Sequence, residues 1–275
     1  MNLDYTHVTM LLDSSGSMKK IWEDTIGGFN VFLESQKSTP GKMTLSQIHF
    51  SSGKYRQYRT FEKSIAETSP NIWNCVSGGD LASYSLRFRQ KTVSIPYAVV
   101  NDFSDIQKVE QLSKTTFVPG GGTPLLDCIH IAIDDTGKAL SQLAESERPG
   151  KVLFIILTDG EENASQMYNY SDIEQIIKHQ TEVYNWTFTY LGANQDAIKE
   201  ASKLGVSTHN SLTYSADSRG ISTSFGLLGE KTATLRSSAV GSVAYASAMN
   251  YSDQERSEAM GGNFQGSANT TGAII

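Results

Sequence analysis

The sequence predicts an α/β fold: a doubly wound, mainly parallel six-stranded sheet with helices on both faces and one antiparallel edge strand. Two runs of strand length, Val8 to Leu12 and KVLFIILT at 151 to 158, are apolar enough to be strands buried on both faces. Each ends on an acid, Asp13 and Asp159. The rest of the chain alternates short apolar runs with stretches carrying an apolar residue every three or four positions, the order that builds a parallel sheet.

After Asp13 come Ser14, Ser15, Gly16 and Ser17, and then a helical stripe of Met18, Ile21, Trp22, Ile26, Phe29 and Phe32. Gly27-Gly28 interrupts it, which predicts a close approach or a bend. Pro40-Gly41 ends this unit, Met43 to Phe50 is the second strand, and Tyr55 to Phe61 reads as a third that returns after a turn. Residues 62 to 95 read as an inserted hairpin or lobe on the sheet edge, either a partner surface or a decorative loop.

Asp102 to Leu112 reads as a short helical connection. Gly120-Gly121-Gly122-Thr123-Pro124 is a flexible loop that opens a helix with Leu126, Ile129, Ile133, Leu140 and Leu143 on its apolar face. Gly160 to Tyr170 is a polar loop, and Ser171 or Asp172 caps a helix through about Gln180. Trp186 to Leu191 is a strand, Asp196 to Leu204 a helix, Ser211 to Tyr214 a short edge strand and Arg219 to Arg236 the last helix of a domain spanning 1–238. From 239 to 275, small and polar residues predict a flexible tail with one short helix at Ser252 to Met260.

The chain has 275 residues, 39% of them hydrophobic and 19% charged, enough for one large domain with a sizeable core. A formal net charge of -6 argues against a general nucleic-acid binder, since Lys19-Lys20 and Arg56 to Arg59 read as solvated surface. Met1 leads straight into a strand and no apolar run reaches membrane-spanning length, so a soluble, cytoplasmic protein with no membrane partner is expected. With only Cys75 and Cys128, a disulfide framework is not expected. The five histidines, His7, His49, His130, His179 and His209, lack the paired spacing of a zinc site and read as structural or surface residues.

Adjacent central strands of such a sheet bring their carboxyl ends together, so Asp13 and Asp159 are expected to face each other across a crevice. Ser15, Ser17 and Thr123 add hydroxyls, and an all-oxygen donor set suits a hard divalent cation. Taken singly, the same residues have plainer readings: Asp13, Ser14, Ser15 or Ser17 as a helix cap, Thr123 before Pro124 as an N-cap, and Asp159-Gly160 as a turn.

Asp13-x-Ser15-x-Ser17, the lone Thr123 in GGTPLLD and Asp159 in a hydrophobic-TDG turn together resemble the metal-ion-dependent adhesion site of von Willebrand factor A domains, over roughly residues 5 to 238. The resemblance implies Mg²⁺ or Mn²⁺, with Ca²⁺ less favoured, held by Asp13, Ser15, Ser17, Thr123 and Asp159. It implies that the hydroxyls reach the metal directly or nearly so, that the aspartates act largely through bridging waters, and that a protein partner's Asp or Glu completes the coordination. The stand-alone intracellular members of bacteria and phages, including those tied to tellurite resistance and stress, are the most similar in kind.

The alternative is a metal-dependent phosphohydrolase using Asp13 as nucleophile. Asp13 after a strand resembles haloacid-dehalogenase-type phosphatases, but their second acid, two residues on, is Ser15 here. Ser17-Met18-Lys19-Lys20 matches the start of penicillin-binding-type acyl enzymes without their later motifs, no GxSxG elbow occurs, and the glycine loop lacks the P-loop lysine. A non-catalytic binding module is therefore the expected class.

Overall fold

The computed structural model describes residues 1–52, 58–66, 88–193 and 196–262. In chain order the strands and helices are β1 (Asn2–Asp13), α1 (Trp22–Ser38), β2 (Lys42–Phe50), β3 (Tyr58–Ala66), β4 (Phe88–Asp105), α2 (Leu125–Gln142) and β5 (Pro149–Thr158). There follow α3 (Tyr170–Tyr184), β6 (Thr187–Ala193), α4 (Ala197–Lys203), β7 (Ser211–Tyr214), α5 (Ser218–Ser237), α6 (Val243–Ser247) and α7 (Asp253–Ala259).

β1 is central, parallel to β2 on one side and to β5 on the other, and β6 and β7 continue in parallel beyond β5. β4 is antiparallel to β2, so the six-stranded, mainly parallel sheet with one antiparallel strand is present, and β3 adds a seventh strand outside it. The returning strand is not the expected one. The second half of β4 pairs with β2, from Tyr97 opposite Phe50 to Asp105 opposite Thr44, while β3 lies outside it on the first half of β4, giving the order β3-β4-β2-β1-β5-β6-β7. Tyr97 on β4, opposite Phe50, is 2% exposed and joins the core on the α2 side. Residues 53–57 and 67–87 lie outside the described residues.

Each face of the sheet has its own core, because side chains alternate along a strand. Val8, Met10 and Leu12 point toward Phe29, Phe32 and Leu33 of α1 and Phe225 and Leu228 of α5, whereas Leu11 joins Phe154, Ile156, Ile129 and Ile173 on the α2 and α3 side. Gly28 supplies the predicted close approach: a Cβ there would fall 2.3 Å from Phe225 Cδ2, whereas one on Gly27 would meet nothing within 4 Å.

Local signals also differ from expectation in three places. Asp102 to Asp105 is strand, held by pairing with β2, and only Ile106–Lys108 forms a 3-10 turn. α3 is capped by Asn169, whose side chain accepts from Ser171 and Asp172 N–H groups while the Asp172 carboxylate accepts from Asn169 N–H, a capping box two residues before Ser171 and three before Asp172. Residues 239–262, expected within a flexible tail, pack on the domain and extend it beyond 238.

That docking rests on few side chains. Ala248, Met249, Tyr251 and Ala259 join the α1–α5 core, and buried Arg256 donates to the carbonyls of Ser211 at 2.5 Å and Thr208 at 2.8 Å. Ser215 N–H donates to Ala259 O at 3.0 Å, so the segment covers the end of the edge strand β7. Residues 263–275 lie outside the described residues, as does Cys75, while Cys128 is fully buried on α2. No helix among the described residues is long and apolar enough to cross a membrane.

Gly28→Ala is expected to destabilise the protein by about 1–3 kcal/mol through overpacking against Phe225, whereas exposed Gly27→Ala should stabilise it by about 0.5–1 kcal/mol through helix propensity. Urea unfolding of the two variants checks this; equal effects would refute the close-approach argument.

His7 provides a pH prediction. It is fully buried between the Thr44 and Thr9 hydroxyls and stacked 3.8 Å from Phe103, and burial lowers its pKa from 6.5 to about 3. Below pH 6.5 the unfolded chain takes up a proton that the folded chain refuses, so this contribution is lost as pH falls from 6.5 toward 3, at about 1.4 kcal/mol per unit. His7→Asn should flatten the acid limb of stability between pH 6.5 and 4.5, measured by urea midpoints, and an unchanged slope would exclude His7 as the source.

Candidate metal centre

The site begins with register. β1 and β5 pair from Thr6 opposite Lys151 to Leu12 opposite Leu157, so Asp13 ends its strand level with Thr158 and Asp159 follows one residue on, both at the same edge of the sheet. Asp13 is 0% exposed, its Oδ1 accepting from Ser15 N–H at 2.6 Å and its Oδ2 from the Thr158 hydroxyl at 2.6 Å. The Ser15 and Ser17 hydroxyls are 2.9 Å apart, and Ser17 donates to Asp159 Oδ1 at 2.6 Å.

Thr123 arrives from the glycine loop, which is stitched to the other segments through its backbone. Gly16 N–H donates to Gly121 O at 2.8 Å, Gly120 N–H to Ser14 O at 2.8 Å and Ser52 N–H to Gly122 O at 3.0 Å. Gly121 has φ +84°, a conformation open to glycine at little cost. A Cβ built on Gly160 would lie 3.2 Å from Thr123 Oγ1, 3.3 Å from Ser17 Oγ and 3.9 Å from Asp13 Oδ2. Glycine at 160 thus leaves a small cradle lined by oxygen from three segments. All five residues singled out in the sequence stand together here.

The plainer readings do not describe what these side chains do. The 3-10 turn Ser17–Ile21 has Gly16 at its N-cap with no side-chain cap bond, and α2 starts after Pro124, again without one. Thr123 is 1% exposed and stands one residue before the N-cap position, which Pro124 occupies. Asp13 does close a local turn through Ser15 N–H, but its second oxygen is held from the neighbouring strand.

Electrostatics make the carboxylates demanding. Burial chiefly pushes the Asp13 carboxyl up to about 7, with hydrogen bonds from Thr158 and Ser15 pulling down and the Asp159 charge pushing further up. Asp159 is also raised, mainly by burial. Neither forms an ion pair among the described residues, and a bound dication would supply the missing positive charge. The donor set contains no nitrogen or sulfur, which fits Mg²⁺ or Mn²⁺ and not zinc. Among the described residues no group of three or more His, Cys, Asp or Glu is arranged for a metal, so an ion at this site would depend on the hydroxyls.

Sequence reading missed the supporting residues. Thr158, read only as the end of a strand, orients Asp13 and accepts Gly160 N–H at 3.1 Å. In the loop after Asp159, Glu162, Asn163 and Ser165 bond the start of α2, and buried Asp127 on α2 accepts N–H groups from Gln166, Met167 and Tyr168 at 2.7–3.0 Å. Single polar residues in a loop carry no periodic signal. Only their density, EENAS at 161 to 165, marks them.

No model of a known protein family matches the sequence, and no curated protein matches it. Solved structures similar to it include proximal thread matrix protein 1 from the mussel byssus, at 12% identity over 82% of this chain and 45% of that one, with a TM-score of 0.46. A von Willebrand factor type A protein from Catenulispora acidiphila is similar at 13% identity over 84% of this chain and 43% of that one, with a TM-score of 0.46. Manganese-loaded TRAP from Plasmodium vivax is similar at 16% identity over 70% and 58%, with a TM-score of 0.38. The chain spans less than half the length of the first two.

Without metal, the buried Asp13 carboxylate is a stability cost. Asp13→Asn is expected to raise stability by about 1 kcal/mol or more at pH 8 in chelator, measured by urea unfolding. A less stable variant would mean that the carboxylate is structural.

Proposed function

We propose that this chain is a non-catalytic, divalent-cation-dependent protein-binding module of the von Willebrand A kind, working in the cytoplasm. The single observation that carries the reading is the oxygen-lined cradle at Gly160, where Thr123 Oγ1, Ser17 Oγ and Asp13 Oδ2 lie 3.2, 3.3 and 3.9 Å from one point. Ser15, Ser17 and Thr123 would hold Mg²⁺ or Mn²⁺ through their hydroxyls, with Asp13 and Asp159 balancing charge from behind. A cation held largely by neutral oxygens supplies an electron-poor centre that accepts a carboxylate oxygen.

The opening of the site agrees with that use. Ser17 is exposed and Asp159 half-buried, while Asp13, Ser15 and Thr123 are buried, so an approaching group meets the hydroxyl edge first. With the dication bound, a partner's Asp or Glu on a protruding segment would meet that edge and complete the coordination. The phosphohydrolase alternative fares worse, because a nucleophilic carboxylate needs a free oxygen facing substrate. Both oxygens of Asp13 are engaged at 2.6 Å and the residue has no exposed surface.

Saturating Mn²⁺ at 100 times its dissociation constant should stabilise the protein by about 2.7 kcal/mol by mass action, read as a shift in thermal unfolding that chelator reverses. Asp13→Ala and Thr123→Ala should lose that shift together with chelator-sensitive capture of partner proteins. No shift in the parent protein would sink the reading, and so would metal-dependent turnover of a phosphate ester that Asp13→Asn abolishes.

A further inference from the structure

The glycine loop that carries Thr123 should be the least determined part of the site, since Gly120, Gly121 and Gly122 leave its backbone free. Its helix offers little local help. α2 begins only at Leu125, and its N-cap residue, Pro124, makes no side-chain cap bond. The amide groups there find their acceptors on the segment after Asp159. Thr123 N–H donates to Asn163 Oδ1 at 2.8 Å, Leu126 N–H to Glu162 Oε2 at 3.0 Å and Asp127 N–H to Ser165 Oγ at 3.1 Å. Asn163 N–H returns a bond to Thr123 O at 3.2 Å, so Asn163 grips both backbone groups of the residue whose hydroxyl lines the cradle.

The packing is as close as the bonding. A Cβ on Gly122 would lie 2.8 Å from Asn163 Oδ1 and 3.1 Å from Ser52 Oγ, so the loop threads between the two side chains. Glu162 is itself held, its Oε1 accepting from Ala164 and Ser165 N–H groups at 2.9 and 2.7 Å. The α2 cap is thus supplied in trans by the segment that bears the other acid.

We infer that Asn163 is a positioning residue for Thr123, braced by Glu162, so that the threonine and the Asp159 segment form one unit whose spacing is set before any ion binds. This rests on the metal reading of the site. Removing the amide oxygen would leave Thr123 N–H without its acceptor and loosen Thr123 itself, while the backbone bonds of Gly120, Gly121 and Gly122 keep the rest of the loop in place. Residues orienting metal ligands typically account for about 10–100-fold in affinity.

Calorimetric titration of the full chain with Mn²⁺ tests this. Asn163→Ala should weaken Mn²⁺ binding about 10-fold or more, and Asn163→Asp, which keeps an acceptor at the same length, should restore most of it. Asn169→Ala, which removes the α3 cap at a comparable stability cost away from the cradle, should leave affinity within about twofold. Hydrogen exchange of the metal-free protein gives a second readout: protection of the Thr123 amide should fall in Asn163→Ala and persist in Asn169→Ala. If Asp13→Ala abolishes Mn²⁺ binding while Asn163→Ala binds like the parent, the positioning role is overturned and the metal site stands. If the parent itself binds no Mn²⁺, both fall.

Discussion

The pairing of β1 with β5 is the constraint on which the rest of the structure depends. Two parallel strands, apolar on both faces, run in register to Leu12 and Leu157 and deliver an acid each to the same edge of the sheet. A sequence selected for stability alone would not place Asp13, without exposed surface and without an ion pair among the described residues, beside a second carboxylate. The apolar strands hold the carboxylates where neither could remain by its own preference. The energy for this comes from the two cores, which clamp the sheet from both sides.

The helices make the clamp rigid by close contact and by buried cations. Gly28 and Gly229 let α1 and α5 meet without intervening side chains, against Phe225 and Ser35. Arg236 on α5 then closes the end of α1, donating to the carbonyls of Gln36 at 2.7 Å, Thr39 at 2.9 Å and Gly41 at 3.0 Å. Lys151 at the start of β5 donates to Arg236 O, so the strand carrying Asp159 and the helix packed on the opposite core share an anchor. Arg256 performs the same service at β7. The guanidinium groups of Arg236 and Arg256 and the Lys151 ammonium satisfy backbone carbonyls that helix and strand ends leave open.

Against that frame the site loops contribute placement, not strength. Their backbone bonds, Gly16 to Gly121, Gly120 to Ser14 and Ser52 to Gly122, join residues 105, 106 and 70 positions apart in the chain. Loop residues held this way can present hydroxyls as firmly as a strand would.

Much of this was legible from residues alone. The strands ending at Asp13 and Asp159, the helical stripe of Met18 to Phe32 and the five oxygen-bearing side chains could be named because burial on both faces and helical periodicity leave marks in a one-dimensional string. Identity of the strand beside β2 could not, since 102–105 carries a helical reading in the sequence and is strand only through its pairing with β2, from Tyr97 opposite Phe50 to Asp105 opposite Thr44. Nor could the docking of 239–262, where Met249, Tyr251 and Arg256 act in a stretch of small and polar residues. The sequence by itself determined which residues could bear chemistry and which strands would be buried, because those follow from side-chain type and spacing. Tertiary structure alone decided that Asn163, Glu162 and Thr158 would brace them, because a hydrogen bond between distant segments depends on a separation in space that no local pattern encodes.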